Sequence, residues 1–72
     1  MATVGERIKE VRQSHQMSQE VFSQKICVSR PHISLLECGK HNPSPSVIRL
    51  ISLLFDVDED WLRFGENEKK IS

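Results

Sequence analysis

With 72 residues the chain has room for one domain and one modest core, because a domain this small buries only about 60% of the surface its unfolded chain exposes, and a large enclosed active site does not fit. Ten Lys and Arg balance ten Asp and Glu for a net charge of zero; no signal-like N-terminus and no apolar run near about 18 residues is present, so the expected location is a reducing cytoplasm. Cys27 and Cys38 stand eleven positions apart without CxxC spacing, which argues against a disulfide framework and, even with three scattered histidines, makes a poor zinc site; no metal and no cofactor is expected.

Val4, Ile8 and Val11 recur at offsets of four and three with charged residues filling most of the gaps (ERIKEVR), the pattern of an amphipathic helix over about residues 3 to 14. SHQMS interrupts it. Ser18 is placed to cap a second helix over about residues 18 to 26, its hydroxyl accepting an orphan backbone N–H while Phe22 and Ile26 form the apolar face. After CVS, Ser29 repeats the capping logic for a third helix running to about Glu37, with Ile33 and Leu36 inward. Pro31 is tolerated there, since the N–H it lacks would be unpaired in the first turn anyway. Gly39 is suited to end the helix in the left-handed conformation. HNPSPS then marks a loop, with Ser44 as cap and Pro45 as first residue of a fourth helix that includes VIRLISLLF and runs to about Phe55. Asp58 follows as a further cap before a short fifth helix, WLRF. ENEKKIS is polar, so residues 1–65 are expected to form one domain and 66–72 a polar tail.

The pattern predicts an all-α, compact five-helix bundle. Its expected core combines Val4, Ile8, Val11, Met17, Phe22, Ile26, Val28, Ile33, Leu36, Ile48, Ile51, Phe55, Val57, Trp61 and Leu62. Cys27 and Cys38 are read as small packing residues. Charge is unevenly placed: residues 1–49 hold seven cations against four carboxylates, and residues 50–72 hold three against six.

Two short helices joined by a tight turn, the second and third here, are the helix-turn-helix arrangement, whose second helix enters the major groove of DNA while the first crosses the backbone. Arg30, His32 and Ser34 can project from the exposed start of the third helix while Ile33 and Leu36 point inward. The segments ERIKEVR, MSQEVFSQKI, VSRPHISLLECGKHNPS, LISLLFDV and DWL, in this order and spacing, resemble the DNA-binding domains of the Xre-type family, the class of the lambda-type phage repressors and Cro. The match covers nearly the whole chain.

That resemblance implies roles for matching residues. Gln19 corresponds to a glutamine that bonds a phosphate and braces the recognition helix. Arg30, Pro31, His32, Ser34 and Leu35 occupy recognition-helix positions that face DNA; Ser29, Lys40, His41 and Asn42 lie where family members touch phosphates. Arg12 and Glu37 match a pair tying the first helix to the end of the third. The chain also departs from the family pattern: Gln16 and Cys27 stand where glycine is usual, so each is expected to take a positive φ at a strain of roughly 1 to 3 kcal/mol. Leu35 replaces a commonly polar or basic residue, which points it at a thymine methyl.

The fourth helix is more apolar than one buried face needs. Leu50, Leu53 and Leu54 extend the stripe of Ile48, Ile51 and Phe55, and Phe64 adds an aromatic near the end. A wide core contact or a dimer patch accounts for this; a homodimer is favoured, because two-fold symmetry lets two recognition helices meet successive major grooves. The expected function is a sequence-specific double-stranded DNA-binding transcriptional regulator, a repressor on a near-palindromic operator, bacterial or phage-encoded. Two alternatives stay open: a restriction-modification controller or antitoxin of the same fold with a second protein partner, and a protein-interaction module without DNA affinity. An enzyme is not expected, since Ser29 and His32 have neither a supporting acid nor an enclosing pocket.

Overall fold

Among the described residues, every helix starts on a side chain that accepts a backbone N–H. The computed structural model describes residues 3–65, so the tail expected at 66–72 lies outside the described residues. The elements are α1 (Val4–Ser14), α2 (Gln19–Lys25), α3 (Arg30–Cys38), α4 (Pro45–Phe55) and α5 (Glu59–Phe64), an all-α arrangement. Thr3, Ser18, Ser29, Ser44 and Asp58 are the N-caps, each satisfying donors that a helix leaves orphaned at its first turn. At Thr3 the cap is reciprocal: its hydroxyl accepts from the Glu6 N–H and its own N–H donates to the Glu6 carboxylate, a capping box that the charge pattern alone did not single out.

The ends are equally uniform. Gln16, Cys27, Gly39, Asp56 and Gly65 follow α1 to α5 with φ of 57°, 62°, 83°, 57° and 71°. In the first four cases the next residue donates back across the turn: Met17 to the Arg12 carbonyl, Val28 to Ser23, Lys40 to Leu35 and Val57 to Ser52. These bonds satisfy carbonyls that would otherwise be left open. Gln16 and Cys27 thus take the left-handed conformation without being glycine, and Asp56 does the same. The fifth helix begins at Glu59 rather than at Trp61, because the Asp58 carboxylate accepts from both Asp60 and Trp61 N–H.

The core is built by Ile8, Val11, Phe22, Ile26, Ile33, Leu36, Ile48, Ile51, Phe55, Val57, Trp61 and Leu62. Val4, Met17 and Val28, also expected inside, are half-buried at its margin. Phe22 and Phe55 stack at 5.2 Å between centroids, joining α2 to α4 through the centre. Both cysteines are exposed, which corrects their reading as packing residues: Cys27 sits in the left-handed turn and Cys38 on the outward side of the last turn of α3.

Helix α3 packs on both α1 and α2, and α5 packs on α4 and α1. Two α1 residues make this possible. At Gly5 an added Cβ would collide with the Leu36 carbonyl, so only glycine lets α1 approach the end of α3 this closely. Arg7 is buried, and donates from Nε to the Leu62 carbonyl at 3.0 Å and from Nη2 to the Arg63 carbonyl at 2.9 Å. Its guanidinium thereby fastens the last turn of α5 to α1.

Candidate nucleic-acid interface

Ile33 and Leu36, both fully buried, fix the rotation of α3 about its axis. With a residue every 100°, that choice turns Pro31, Ser34, Leu35 and Cys38 to the other side. Arg30, Pro31 and Cys38 are exposed, and Ser34 and Leu35 are half-buried. Ser29 is exposed and caps the helix through the His32 N–H at 3.3 Å. The loop that leaves α3 presents Lys40, His41 and Asn42, all exposed, with the Lys40 and His41 N–H groups both directed to the Leu35 carbonyl. His32 and His41 meet edge to face, ring centroids 5.6 Å apart. One face of the molecule therefore carries an exposed cation at the start of α3 (Arg30) and another just past its end (Lys40), with hydroxyls, imidazoles and an apolar ridge between them.

This face is braced from behind. Arg12 donates from Nε to Glu37 Oε2 at 2.7 Å and from Nη2 to Oε1 at 3.2 Å, with side-chain exposures of 12% and 5%. Its Nη1 reaches the Met17 carbonyl at 2.8 Å, and Gln19 Nε2 donates to Glu37 Oε1 at 3.1 Å. One carboxylate thus gathers the end of α1, the following turn, the start of α2 and the end of α3. Bidentate geometry and the extra amide donor satisfy the buried charge. Gln19 is half-buried at the head of α2, next to the exposed Ser18.

Cys38 is the residue of this face that the sequence reading passed over; its position three after Leu35 and four after Ser34 would have placed it there. Among the described residues no group of three or more His, Cys, Asp or Glu is arranged to hold a metal ion, and no helix is long and apolar enough to cross a membrane.

The apolar residues considered for a dimer do not share one surface hollow. Phe64, 58% exposed, lines a groove with Val4, Pro43, Pro45 and Ile48, whereas Leu54 lines a shallow one with Val21, Gln24 and Lys25. Leu53 is 73% exposed, and Leu50 is half-buried against the core. Val21 is a further exposed apolar residue outside the expected set.

The helix-turn-helix family model matches residues 8–62. An uncharacterized HTH-type transcriptional regulator of Archaeoglobus fulgidus is 40% identical over 63 residues, spanning 86% of this chain and 89% of the relative. Among solved structures, the P22 c2 repressor protein in complex with a synthetic operator superposes with a TM-score of 0.83 at 24% identity, covering 92% of this chain and all of that one. The N-terminal DNA-binding domain of SinR from Bacillus subtilis gives 0.74 at 28% identity, covering 82% and 87%.

Proposed function

The chain belongs to the helix-turn-helix family of transcriptional regulators, and from that premise we propose that it is a sequence-specific double-stranded DNA-binding repressor that acts as a homodimer on a near-palindromic operator. The mechanism is occupancy: bound protein excludes polymerase, and no bond is made or broken. Residues 1–65 would form the DNA-binding domain and 66–72 a polar extension.

The observation that carries this reading is the outward presentation of α3 while Ile33 and Leu36 are sealed beneath it. Seated in a major groove, Arg30 would bond guanine O6 and N7, and Pro31 and Leu35 would meet thymine methyls. Ser34 and His32 would reach base edges or phosphate oxygens. Ser29, Gln19, Lys40, His41 and Asn42 would contact the phosphate backbone and set the docking register, since such contacts position a protein without reading sequence. The Arg12–Glu37–Gln19 network supports the reading because a rigid second helix and turn hold the reading helix at one angle.

Selection of bound fragments from random duplex DNA tests the proposal. The expected product is a near-palindrome. Arg30→Ala should relax preference at one base pair per half-site by roughly 1 to 3 kcal/mol. Lys40→Ala should weaken all sequences about equally and flatten the salt dependence by about one phosphate contact. If neither substitution alters binding, α3 is not the reader. Absence of any salt-dependent association with duplex DNA would favour a protein-interaction module instead.

A further inference from the structure

The stack of Phe22 on Phe55, 5.2 Å between centroids, fixes how α2 and α4 are turned toward each other. The residue before each ring emerges at the surface: Val21 and Leu54, 42% and 49% exposed, line one shallow hollow together with Gln24 and Lys25. Leu53, next to Leu54, is more exposed still. Apolar side chains gathered at a surface in this way mark a contact site. None of the lining residues belongs to α3 or to the loop that leaves it, so a body seated here does not use the face assigned to DNA.

The charges at the rim say what kind of body fits. Helix α2 carries a carboxylate in its first turn, Glu20, and an ammonium at its last residue, Lys25. Both are exposed, and among the described residues neither is in an ion pair. Five positions apart on a helix, they point about 140° away from one another and do not pair within the chain. Two such helices laid antiparallel bring Glu20 of each copy to the Lys25 end of the other; laid parallel, they oppose like charges. An antiparallel arrangement is what a two-fold axis across the helix produces, where one patch meets itself. With a net charge of zero, two copies carry no overall repulsion to oppose it.

We infer that this hollow is where a second copy of the chain docks, across a two-fold axis that sets the two α2 helices antiparallel. Val21 and Leu54 of both copies form the apolar centre, and two Glu20–Lys25 pairs close the rim. The inference rests on the homodimer of the proposed function and specifies its surface, placing it on the outer side of α2 and away from the groove of Phe64. The apolar centre supplies the attraction, while the rim charges set orientation and register more than affinity.

Sedimentation equilibrium of the full chain at low ionic strength tests this, with circular dichroism confirming that each variant is folded. Val21→Lys should sediment as a monomer at concentrations where the wild type is a dimer, and Phe64→Ser should stay dimeric. Glu20→Lys and Lys25→Glu should each weaken self-association roughly tenfold, since both rim contacts then oppose like charges. Glu20→Lys/Lys25→Glu in one chain should restore it. An equimolar mixture of the two single variants should form a heterodimer, because every rim contact again joins unlike charges. A dimer indifferent to Val21→Lys and to both reversals, or lost in Phe64→Ser, would overturn the hollow and leave the homodimer standing on another surface. Reversals that weaken the dimer without rescue by the swap or the mixture would also overturn it, since the charges then do not pair across copies. A wild type that stays monomeric with and without duplex DNA would remove the homodimer together with its surface.

Discussion

Glu37 shows how much of this fold passes through single side chains. Its carboxylate takes two bonds from Arg12 and one from Gln19 while its side chain is 5% exposed. Glu37→Ala would strand a guanidinium that is itself largely buried, and should lower stability in urea unfolding by about 3 kcal/mol. An Arg12→Met/Glu37→Met double variant should lose clearly less than the two single losses added, because neither charge is then left alone; strict additivity would mean that the pair is not coupled. Arg12 and Glu37 were legible in the sequence only through the family resemblance. Gly5 and Arg7 were not legible at all, because their partners, the Leu36 and Leu62 carbonyls, lie far along the chain and no local pattern marks either contact.

At the scale of elements, the turns carry the unused stability. Gln16 and Cys27 hold φ of 57° and 62°, a region where a side chain crowds its own backbone and glycine does not. After subtracting the extra freedom that glycine has when unfolded, Gln16→Gly and Cys27→Gly should each stabilise by about 0.5 to 1 kcal/mol, seen as a rise in Tm. A fall in Tm would mean that the side chain contributes more at that turn than its strain removes. Asp56→Gly should gain less, since aspartate tolerates this conformation better than most residues. Helix positions were readable in advance to within a residue or two, as the bounds of α3 and α4 illustrate. At α5 the cap, Asp58, was readable from the sequence, but the span WLRF was two residues short, because hydrophobicity does not mark Glu59 and Asp60, which form the first turn behind that cap.

At the scale of the whole molecule, the proposed homodimer can be tested against the dimensions of the domain. The domain measures 28 × 22 × 21 Å, so two copies side by side can set their α3 helices roughly 34 Å apart, one turn of duplex. Leu53 and Leu54 are 73% and 49% exposed; if they form the dimer surface, Leu53→Lys/Leu54→Lys should convert a dimer to a monomer in sedimentation while changing the monomer's stability by no more than about 0.5 kcal/mol. Phe64→Ser is the separate arm of that experiment, because Phe64 faces a different groove. A wild type that sediments as a monomer at all accessible concentrations, with and without DNA, would remove the homodimer from the proposal. The Arg49–Glu59 pair at 3.6 Å is partly exposed and should matter little to stability.

The amino-acid sequence by itself determined where the helices begin and turn, because a cap, a left-handed residue and an apolar period act within a few positions of one another, and Ser18, Ser29 and Ser44 carry that information locally. It also determined which side of α3 faces inward, through Ile33 and Leu36. Only the tertiary structure decided which remaining side chains are exposed and which meet: that Cys38 joins the outward ridge, that Leu50 leans on the core while Leu53 does not, and that His32 and His41 meet. Exposure and pairing across elements depend on segments many residues away being brought together, and that proximity is a property of the packed chain.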